Sequence, residues 1–245
     1  MEGFVRLPAA STLVASGITG IASSLPVILA ASQVAAHPWF CGGAVFLCAS
    51  AAGCVVGEWN ATYARERQRF LIDQFFEPEI DSLRQFDSTA RLNIMRVSGL
   101  PGLRRLRFFR TYRMGDGGDA VLTLKLNQGV AGVAFEAGHW AVGDMEADSW
   151  RDARGNGGPD ACRHMTQDQR DLVRELTLVY SYPIRRLARQ GSAGDVRPVD
   201  DVIGVVNLDS RQESALGKYT KEGLHKALLE ARLPQLALVA GYVLT

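Results

Sequence analysis

The amino-terminal part of the chain lacks charged residues altogether. No Asp, Glu, Lys or Arg occurs between Arg6 and Glu58 in a chain of 245 residues. A bilayer core takes roughly 20 apolar helical residues to cross, so the charge-free residues 7–57 predict a hairpin of two crossings. We place the crossings near residues 12–31 and 39–57. A cleaved signal peptide and a buried helical hairpin of a soluble protein are the alternatives to this interpretation.

The basic residues that flank the charge-free stretch predict its orientation. Arg6 precedes the first predicted crossing, and Arg65, Arg67 and Arg69 follow the second, whereas the connecting turn carries only His37. Because basic residues concentrate on the cytoplasmic side of membrane proteins, we expect a multi-pass protein of the inner membrane with both termini cytoplasmic. The lipid bilayer is then a partner. The absence of ionisable residues within the crossings argues against a transporter.

Small residues recur at helical spacing in the second predicted crossing. Ala49, Gly53 and Gly57 are each four residues apart, and this spacing lets two helix backbones approach closely. The pattern therefore predicts transmembrane packing at these three residues. The contact is either within the hairpin or between chains, and in the second case the protein is a homo-oligomer.

Cysteine and the common catalytic motifs are sparse. Three of the four cysteines lie between residues 39 and 57, and Cys162 stands alone, which excludes a disulfide framework and a C-x-x-C metal site. The sequence also lacks H-E-x-x-H, G-x-S-x-G and a Walker glycine loop. A net charge of +1 gives no bulk attraction for nucleic acid. We therefore expect no catalytic residues, no metal, no cofactor and no nucleic-acid partner.

Charged residues return at Glu58, and the pattern becomes that of a folded domain. Residues 58–86 are amphipathic at helical spacing, with an apolar stripe at Ile72, Phe76, Ile80 and Leu83, and form a helical connector in which Pro78 is predicted to start a second helix. In residues 87–245 strand-like and helix-like runs alternate, with central strands at residues 180–188 and 202–208 and a capping-box helix start at Thr166. This pattern predicts an α+β domain around an antiparallel sheet. The predicted organisation is thus hairpin (1–57), connector (58–86) and domain (87–245).

Two motifs in this domain carry a family resemblance. Residues 127–138, N-Q-G-V-A-G-V-A-F-E-A-G, are followed by Asp144 and resemble the Q-G-x-x-G-x-x-x-x-x-G…D signature of GAF domains. Residues 202–210, V-I-G-V-V-N-L-D-S, resemble the I-G-V-hydrophobic-N-hydrophobic-D-S strand of the same family. The resemblance covers about residues 85–245. It implies a GAF-like antiparallel sheet flanked by helices that serves as a ligand-binding sensor.

The resemblance also implies a pocket roofed by the segment between two strands, here residues 145–165. Aromatic and guanidinium groups in and around this segment suit a nucleotide or another planar anion. The predicted ligand-binding residues are Arg110, Tyr112, Trp140, Asp144, Trp150, Arg151, His164 and Tyr180. The alternative is a solvent-exposed loop held by one tryptophan.

Several features of known GAF branches are missing. The chain lacks the N-K-x-F-D-E pattern of cyclic-nucleotide GAF domains and the chromophore cysteine environment of phytochromes. Cys162 by itself cannot perform the chemistry of the methionine-sulfoxide reductase branch, which uses several cysteines. We therefore do not expect a cyclic nucleotide bound in the usual way, a bilin, or that reductase reaction.

Arginine is concentrated in residues 104–113, where five occur in ten positions. If the segment is a strand, strict alternation places Arg105, Arg107 and Arg113 on one face, with Arg110 and Tyr112 on the other, toward the pocket. The first face would then meet lipid phosphates or a neighbouring subunit. A solvated basic edge is the alternative.

These observations favour a membrane-anchored sensor of a small ligand, with nucleotides among the candidates. Its cytoplasmic GAF-like domain would control association of the transmembrane helices. At the level of architecture this resembles the short membrane-disrupting effectors of anti-phage defence. One alternative is a non-catalytic module that dimerises or tethers a partner without a ligand. A second alternative is an enzyme at the membrane surface.

Overall fold

The computed structural model describes residues 38–114, 121–190, 195–213, 215–221 and 223–245. Within these ranges, residues 38–55, 189–190, 195–196, 220–221 and 223–228 are described as backbone only. The first predicted crossing, residues 12–31, lies outside the described residues. Contacts within the chain divide it into two compact units, Met1–Arg67 and Gln68–Thr245.

A single long helix, α1 (Pro38–Arg84), runs through the second predicted crossing and the predicted connector. Pro78 does not start a new helix but lies inside α1. An interior proline costs a helix roughly 3 kcal/mol, and burial of apolar side chains on both sides of it offsets that cost. Ile72, Phe76 and Ile80, which the sequence predicts as one apolar stripe, are at most 1% exposed.

The membrane prediction is contradicted. Among the helices that the structure describes, none combines the length and the apolar content needed to cross a bilayer. The predicted inner-membrane, multi-pass localisation is therefore wrong. The prediction rested on the absence of charge from residues 7–57, a condition that a crossing requires but that does not by itself establish one.

Two of the predicted functions depended on the hairpin. Without it, the predicted control of transmembrane association and the predicted anti-phage role have no structural basis. The side chain of Ala49 and the surroundings of Gly53 lie outside the described residues. At Gly57 an added Cβ atom would meet nothing within 4 Å, so no packing contact is shown there.

An eight-stranded antiparallel sheet forms the centre of the second unit within the described residues. Its strands follow the order β3-β2-β1-β8-β7-β4-β5-β6. The two longest, β7 and β8, contain the predicted central strands and pair with each other. The strand bounds are β1 (Arg91–Ser98), β2 (Arg105–Tyr112), β3 (Thr123–Lys125), β4 (Ala141–Asp144), β5 (Ser149–Asp152), β6 (Gly157–Pro159), β7 (Leu178–Gln190) and β8 (Asp195–Ser210).

Helices cover both faces of this sheet, which confirms the α+β prediction. The bounds of the further helices are α2 (Gly129–Ala137), α3 (Gln167–Val173), α4 (Ala215–Lys221) and α5 (Gly223–Leu244). Strand side chains alternate between the faces. Leu208 packs with α4, α5 and the last turns of α1, on what we call the α5 face. Val205 packs with α2 and the segment around α3, on the α2 face.

A β-bulge changes the alternation predicted for the arginine-rich strand. Ile94 pairs with Arg110, but the next residue, Met95, pairs with Phe108, so β2 holds one extra residue at this point. A bulge of this kind reverses the side-chain parity on either side of it. Arg107 and Arg110 therefore lie on the same face of the sheet, and strict alternation does not hold along β2.

Candidate ligand-binding site

A cavity of about 60 Å³ lies on the α2 face of the sheet. Strands β1, β2, β7 and β8 contribute to its walls, together with α2 and α3. Met145, Ala161 and Met165 of the predicted roof segment line it as well. The segment predicted to roof a pocket therefore does border a cavity.

Methionine is prominent in the apolar wall of this cavity, which we call the methionine cavity. Four of the five methionines in the chain line it: Met95, Met114, Met145 and Met165. Thioether side chains are unbranched and polarisable, so they adapt to irregular shapes. Such a wall suits the apolar part of a small ligand.

Another part of the lining is polar and buried. Asp209 on β8 accepts a hydrogen bond of 2.8 Å from Asn93 Nδ2 and lies 3.5 Å from a terminal nitrogen of Arg91. Asn207 Nδ2 donates to Asn93 Oδ1 at 2.7 Å, and Ser181 Oγ donates to Asn207 Oδ1 at 2.7 Å. We call the four of these residues that line the cavity, Arg91, Asn93, Asn207 and Asp209, the polar floor.

All members of the polar floor are at most 5% exposed. A buried charge or amide is expensive unless it is paired, and the hydrogen bonds above supply the partners. They also fix the side-chain directions, so the cavity presents preorganised donors and acceptors at one end. A ligand with a polar head and an apolar body matches both parts of the lining.

The first GAF-like motif connects α2 to the roof segment. Gln128 accepts a hydrogen bond from the backbone N–H of Lys125 at 2.6 Å and donates to the carbonyl of His164 at 2.5 Å. Gly129 has a φ of +61°, a conformation that favours glycine. A Cβ atom there would lie 3.2 Å from Met165 Sδ. The motif therefore holds the first turn of α2 against the roof.

The second motif contributes directly to the polar floor and to a neighbouring buried cluster. Asn207 and Asp209 belong to the floor, whereas Ser210 Oγ donates a hydrogen bond of 2.6 Å to Asp87. Tyr219 also donates to Asp87, at 3.1 Å. Hydrogen bonds to Asp87 outweigh burial, which alone would raise its pKa, so the pKa of this carboxyl lies below its ordinary value.

Three of the eight predicted ligand-binding residues come together elsewhere. Trp140, Arg151 and Tyr180 line a second cavity of about 180 Å³ on the α5 face, beside Tyr219 and Glu230. The rings of Trp140 and Tyr180 are stacked, with centroids 5.6 Å apart and planes 26° apart.

Arg110 and Tyr112 bind the carboxylate of Asp73 on α1. Arg110 donates to both oxygens of Asp73, at 2.7 and 2.6 Å, and the Tyr112 hydroxyl donates at 2.7 Å. Burial, followed by the hydrogen bond to Asp73, raises the pKa of Tyr112. Burial alone would lower the pKa of Arg110, but the interactions with Asp73 raise it overall. Both side chains thus connect β2 to α1 within the second unit.

The other three predicted residues line neither cavity. Asp144 accepts hydrogen bonds from the backbone N–H groups of the two residues at positions 146 and 147, so it stabilises a turn. Trp150 packs on the α2 face, with the guanidinium of Arg163 5.5 Å from its ring centroid. His164 contributes its carbonyl to the contact with Gln128.

Two of the polar-floor residues, Arg91 and Asn93, were not predicted from the sequence as site residues. Their neighbours along β1 carry no recognisable motif, and the residues that they contact are more than a hundred positions away. The N-x-D spacing in residues 207–209 was the one available signal, because residues two apart on a strand share a face.

No group of three or more His, Cys, Asp or Glu side chains in the described ranges is arranged to hold a metal ion. Cys162, a cysteine of the described residues, is buried, and burial raises the pKa of its thiol. A protonated thiol is a weak nucleophile at neutral pH.

No family model matches the sequence, and no curated protein matches it. Among solved structures, the chain is similar to a type II free methionine-R-sulfoxide reductase from Thermoplasma acidophilum, with 15% identity, a TM-score of 0.42 and coverage of 72% of this chain and 93% of that one. A GAF domain/HD domain protein from Geobacter sulfurreducens shows 13% identity, a TM-score of 0.43 and coverage of 71% and 94%. An NreA protein from Staphylococcus aureus, mutated in its nitrate-binding site, shows 13% identity, a TM-score of 0.35 and coverage of 57% and 86%.

Proposed function

We propose that the second unit is a GAF-like sensor domain that binds a small ligand in the methionine cavity. The observation that carries the proposal is the polar floor: buried, mutually hydrogen-bonded Arg, Asp and Asn side chains that border an otherwise apolar cavity. Apolar walls with a few fixed polar groups are the usual composition of a small-molecule site.

Placement of the motif residues supports the GAF-like assignment. Gly129 of the first motif lines the methionine cavity, and Asn207 and Asp209 of the second motif line it too. Two segments that lie about 75 positions apart in the sequence therefore border one cavity. Their resemblance to one family and their meeting at one site are independent observations that agree.

The size of the cavity limits the ligand. The volume of about 60 Å³ is small beside the roughly 300–1,000 Å³ of a pocket for a drug-sized ligand. A small metabolite or one end of a larger ligand fits this space, whereas a whole nucleotide does not. The charged pair Arg91–Asp209 favours a ligand whose enclosed end carries both a hydrogen-bond acceptor and a donor.

Thermal unfolding of the full chain against a panel of small metabolites tests the proposal. A ligand present at a hundred times its dissociation constant adds about 2.7 kcal/mol to the free energy of unfolding. Ala131 lines the cavity, so Ala131→Leu should fill it and abolish the shift. Ala131→Ser keeps the space and is the matched control. An equal shift in wild type and Ala131→Leu would refute the site.

An exposed apolar groove favours self-association as a second function. The groove, about 420 Å³, lies between α1 and α5 within the second unit and is lined by Leu71, Phe75, Leu238, Val239, Tyr242, Val243 and Leu187. Tyr242 is 70% exposed, and exposed apolar patches of this kind mark interaction surfaces. We propose that a second copy of the chain covers it, so that the protein is a homo-oligomer.

Sedimentation velocity of two lysine variants tests this second function. Tyr242→Lys places a charge in the groove and should give monomers. Leu100→Lys places the same charge at another exposed apolar residue, 73% exposed, and should sediment as wild type. A wild-type protein that is monomeric at high concentration contradicts the proposal.

A further inference from the structure

A second cavity lies on the opposite face of the sheet from the methionine cavity. We call it the aromatic cavity; it measures about 180 Å³ and is lined by Trp140, Val142, Arg151, Tyr180, Tyr219, Leu229 and Glu230. Val179 lines the methionine cavity and the next residue, Tyr180, lines the aromatic one. Because successive strand residues point to opposite faces, the sheet itself separates the two spaces.

We propose that the aromatic cavity is a second ligand site, which binds a planar ring that carries a single carboxylate. Strand register brings the principal residues into one row. Arg151 on β5 lies opposite Val142 on β4, and Val142 lies opposite Tyr180 on β7. Strand pairing therefore fixes the backbone positions from which Arg151 and Tyr180 reach the cavity.

Aromatic rings supply most of the wall. Trp140 and Tyr180 stack with centroids 5.6 Å apart, and an offset stack of this kind extends readily to a further planar ring. Tyr219 donates its hydroxyl hydrogen bond to Asp87 at 3.1 Å. Its ring is thereby held in place, and the hydroxyl of Tyr219 is directed to Asp87 and not to a ligand.

The hydroxyl of Tyr180 is the observation that points to a bound molecule. Tyr180 is 5% exposed, yet within the described part of the chain no side chain or backbone group forms a hydrogen bond with its hydroxyl. The hydroxyl is not among the fully buried side-chain atoms that lack a partner, so it faces the space of the cavity, where a ligand or water can pair with it. Burial, and then the charge of Glu230, raises the pKa of Tyr180. At neutral pH the phenol is protonated, so the group that it lacks is an acceptor.

The charges of the lining define the ligand further. Arg151 is exposed at the cavity wall, where its guanidinium can bind a carboxylate. Glu230 lines the same cavity and carries the opposite charge, so the lining has no net charge at neutral pH. Such a lining favours a ligand with one negative charge over a phosphate with two.

Isothermal titration of the full chain with three probes tests the proposal. Benzoate has both the planar ring and the carboxylate, benzamide keeps the ring without the charge, and cyclohexanecarboxylate keeps the charge without the planar ring. We expect benzoate to bind about tenfold more tightly than either analogue, a difference of about 1.4 kcal/mol. Equal affinity for benzoate and benzamide, or no heat from benzoate at millimolar concentration, would overturn the proposal.

Single substitutions then locate the probe. Arg151→Gln should weaken benzoate binding about tenfold and leave benzamide unchanged, and Tyr180→Phe should weaken benzoate binding several-fold. Arg154→Gln, which removes a nearby exposed arginine outside the lining, is the control. Ala131→Leu, which fills the methionine cavity, should leave benzoate binding unchanged. Loss of binding in Ala131→Leu with retention in Arg151→Gln would assign benzoate to the methionine cavity and refute the second site.

Discussion

Replacement of Asp87 by alanine should be among the most destabilising single changes in the domain. Asp87 is 1% exposed and its carboxylate accepts four hydrogen bonds. Two come from Thr89, whose N–H donates at 2.9 Å and whose hydroxyl donates at 2.7 Å. The others come from Ser210 at 2.6 Å and Tyr219 at 3.1 Å. The carboxylate thus joins the end of β8, the segment that precedes β1 and helix α4.

The expected loss in the free energy of unfolding follows from the hydrogen-bond donors that the substitution leaves without an acceptor. A buried donor without a partner costs about 1–3 kcal/mol, and breaking a buried charged network by removal of one member typically costs about 3–5 kcal/mol. We therefore expect Asp87→Ala to lower the free energy of unfolding by about 3–5 kcal/mol. Tyr219→Phe removes one of the four hydrogen bonds and should cost about 1 kcal/mol.

Urea unfolding followed by circular dichroism measures both variants and their combination. Because both residues act in one cluster, the double variant should cost less than the sum of the single ones. A loss below about 1 kcal/mol for Asp87→Ala, or strict additivity with Tyr219→Phe, would refute the view that this carboxylate organises the cluster.

The same carboxylate gives a dependence of stability on pH. Its pKa in the folded protein lies below the ordinary value of 3.8, so the unfolded chain binds the proton more tightly. The stabilisation is therefore complete above that value and is lost as the pH falls through the folded pKa. The stability difference between wild type and Asp87→Asn should shrink below pH 4. A difference that stays constant from pH 6 to pH 3 would contradict this assignment.

Three further substitutions test other parts of the fold by the same unfolding measurement. Gly204→Ala places a Cβ atom 2.3 Å from the carbonyl oxygen of Met95 and should cost at least about 1–3 kcal/mol; a neutral result would refute the close strand approach. Thr166→Ala removes a complete capping box and should cost about 1 kcal/mol, which Thr166→Ser should largely restore. Arg110→Lys replaces a two-bond contact with Asp73 by a single point charge and should cost about 1 kcal/mol, a loss that should be absent if the contact does not form in solution.

Local features of the structure were predictable because their determinants are adjacent in the sequence. The capping box at Thr166 needs residues only three positions apart, and both of its hydrogen bonds form. The stripe that contains Ile72 and Phe76 repeats at helical spacing, and both residues are buried. Residues 180–188 and 202–208 predicted β7 and β8 for a similar reason, since their β-branched and aromatic residues favour strands.

The polar floor was not predictable because it depends on strand pairing over long separations. Asn93 lies opposite Asn207 in the β1–β8 ladder, and Arg91 lies opposite Asp209. A shift of the register by a single residue would reverse all of these side chains to the other face. Nothing in the sequence around Arg91 specifies that register, so the motif at residues 207–209 indicated half of the site and not its partners.

Strand parity explains why the predicted ligand-binding residues divide among separate places. Trp150 and Arg151 are consecutive on β5, so they must face opposite sides of the sheet, and one cavity cannot take both. The sequence analysis grouped the two residues because of their chemical type, but the alternation of side chains along the strand places them on opposite faces. Trp150 packs on the α2 face and Arg151 lines the aromatic cavity. Parity is also what unites Arg151 with Tyr180, through their common partner Val142. Strand register therefore decides which residues lie side by side in a ligand site on a sheet. The chemistry of those residues then decides which ligand the site can bind.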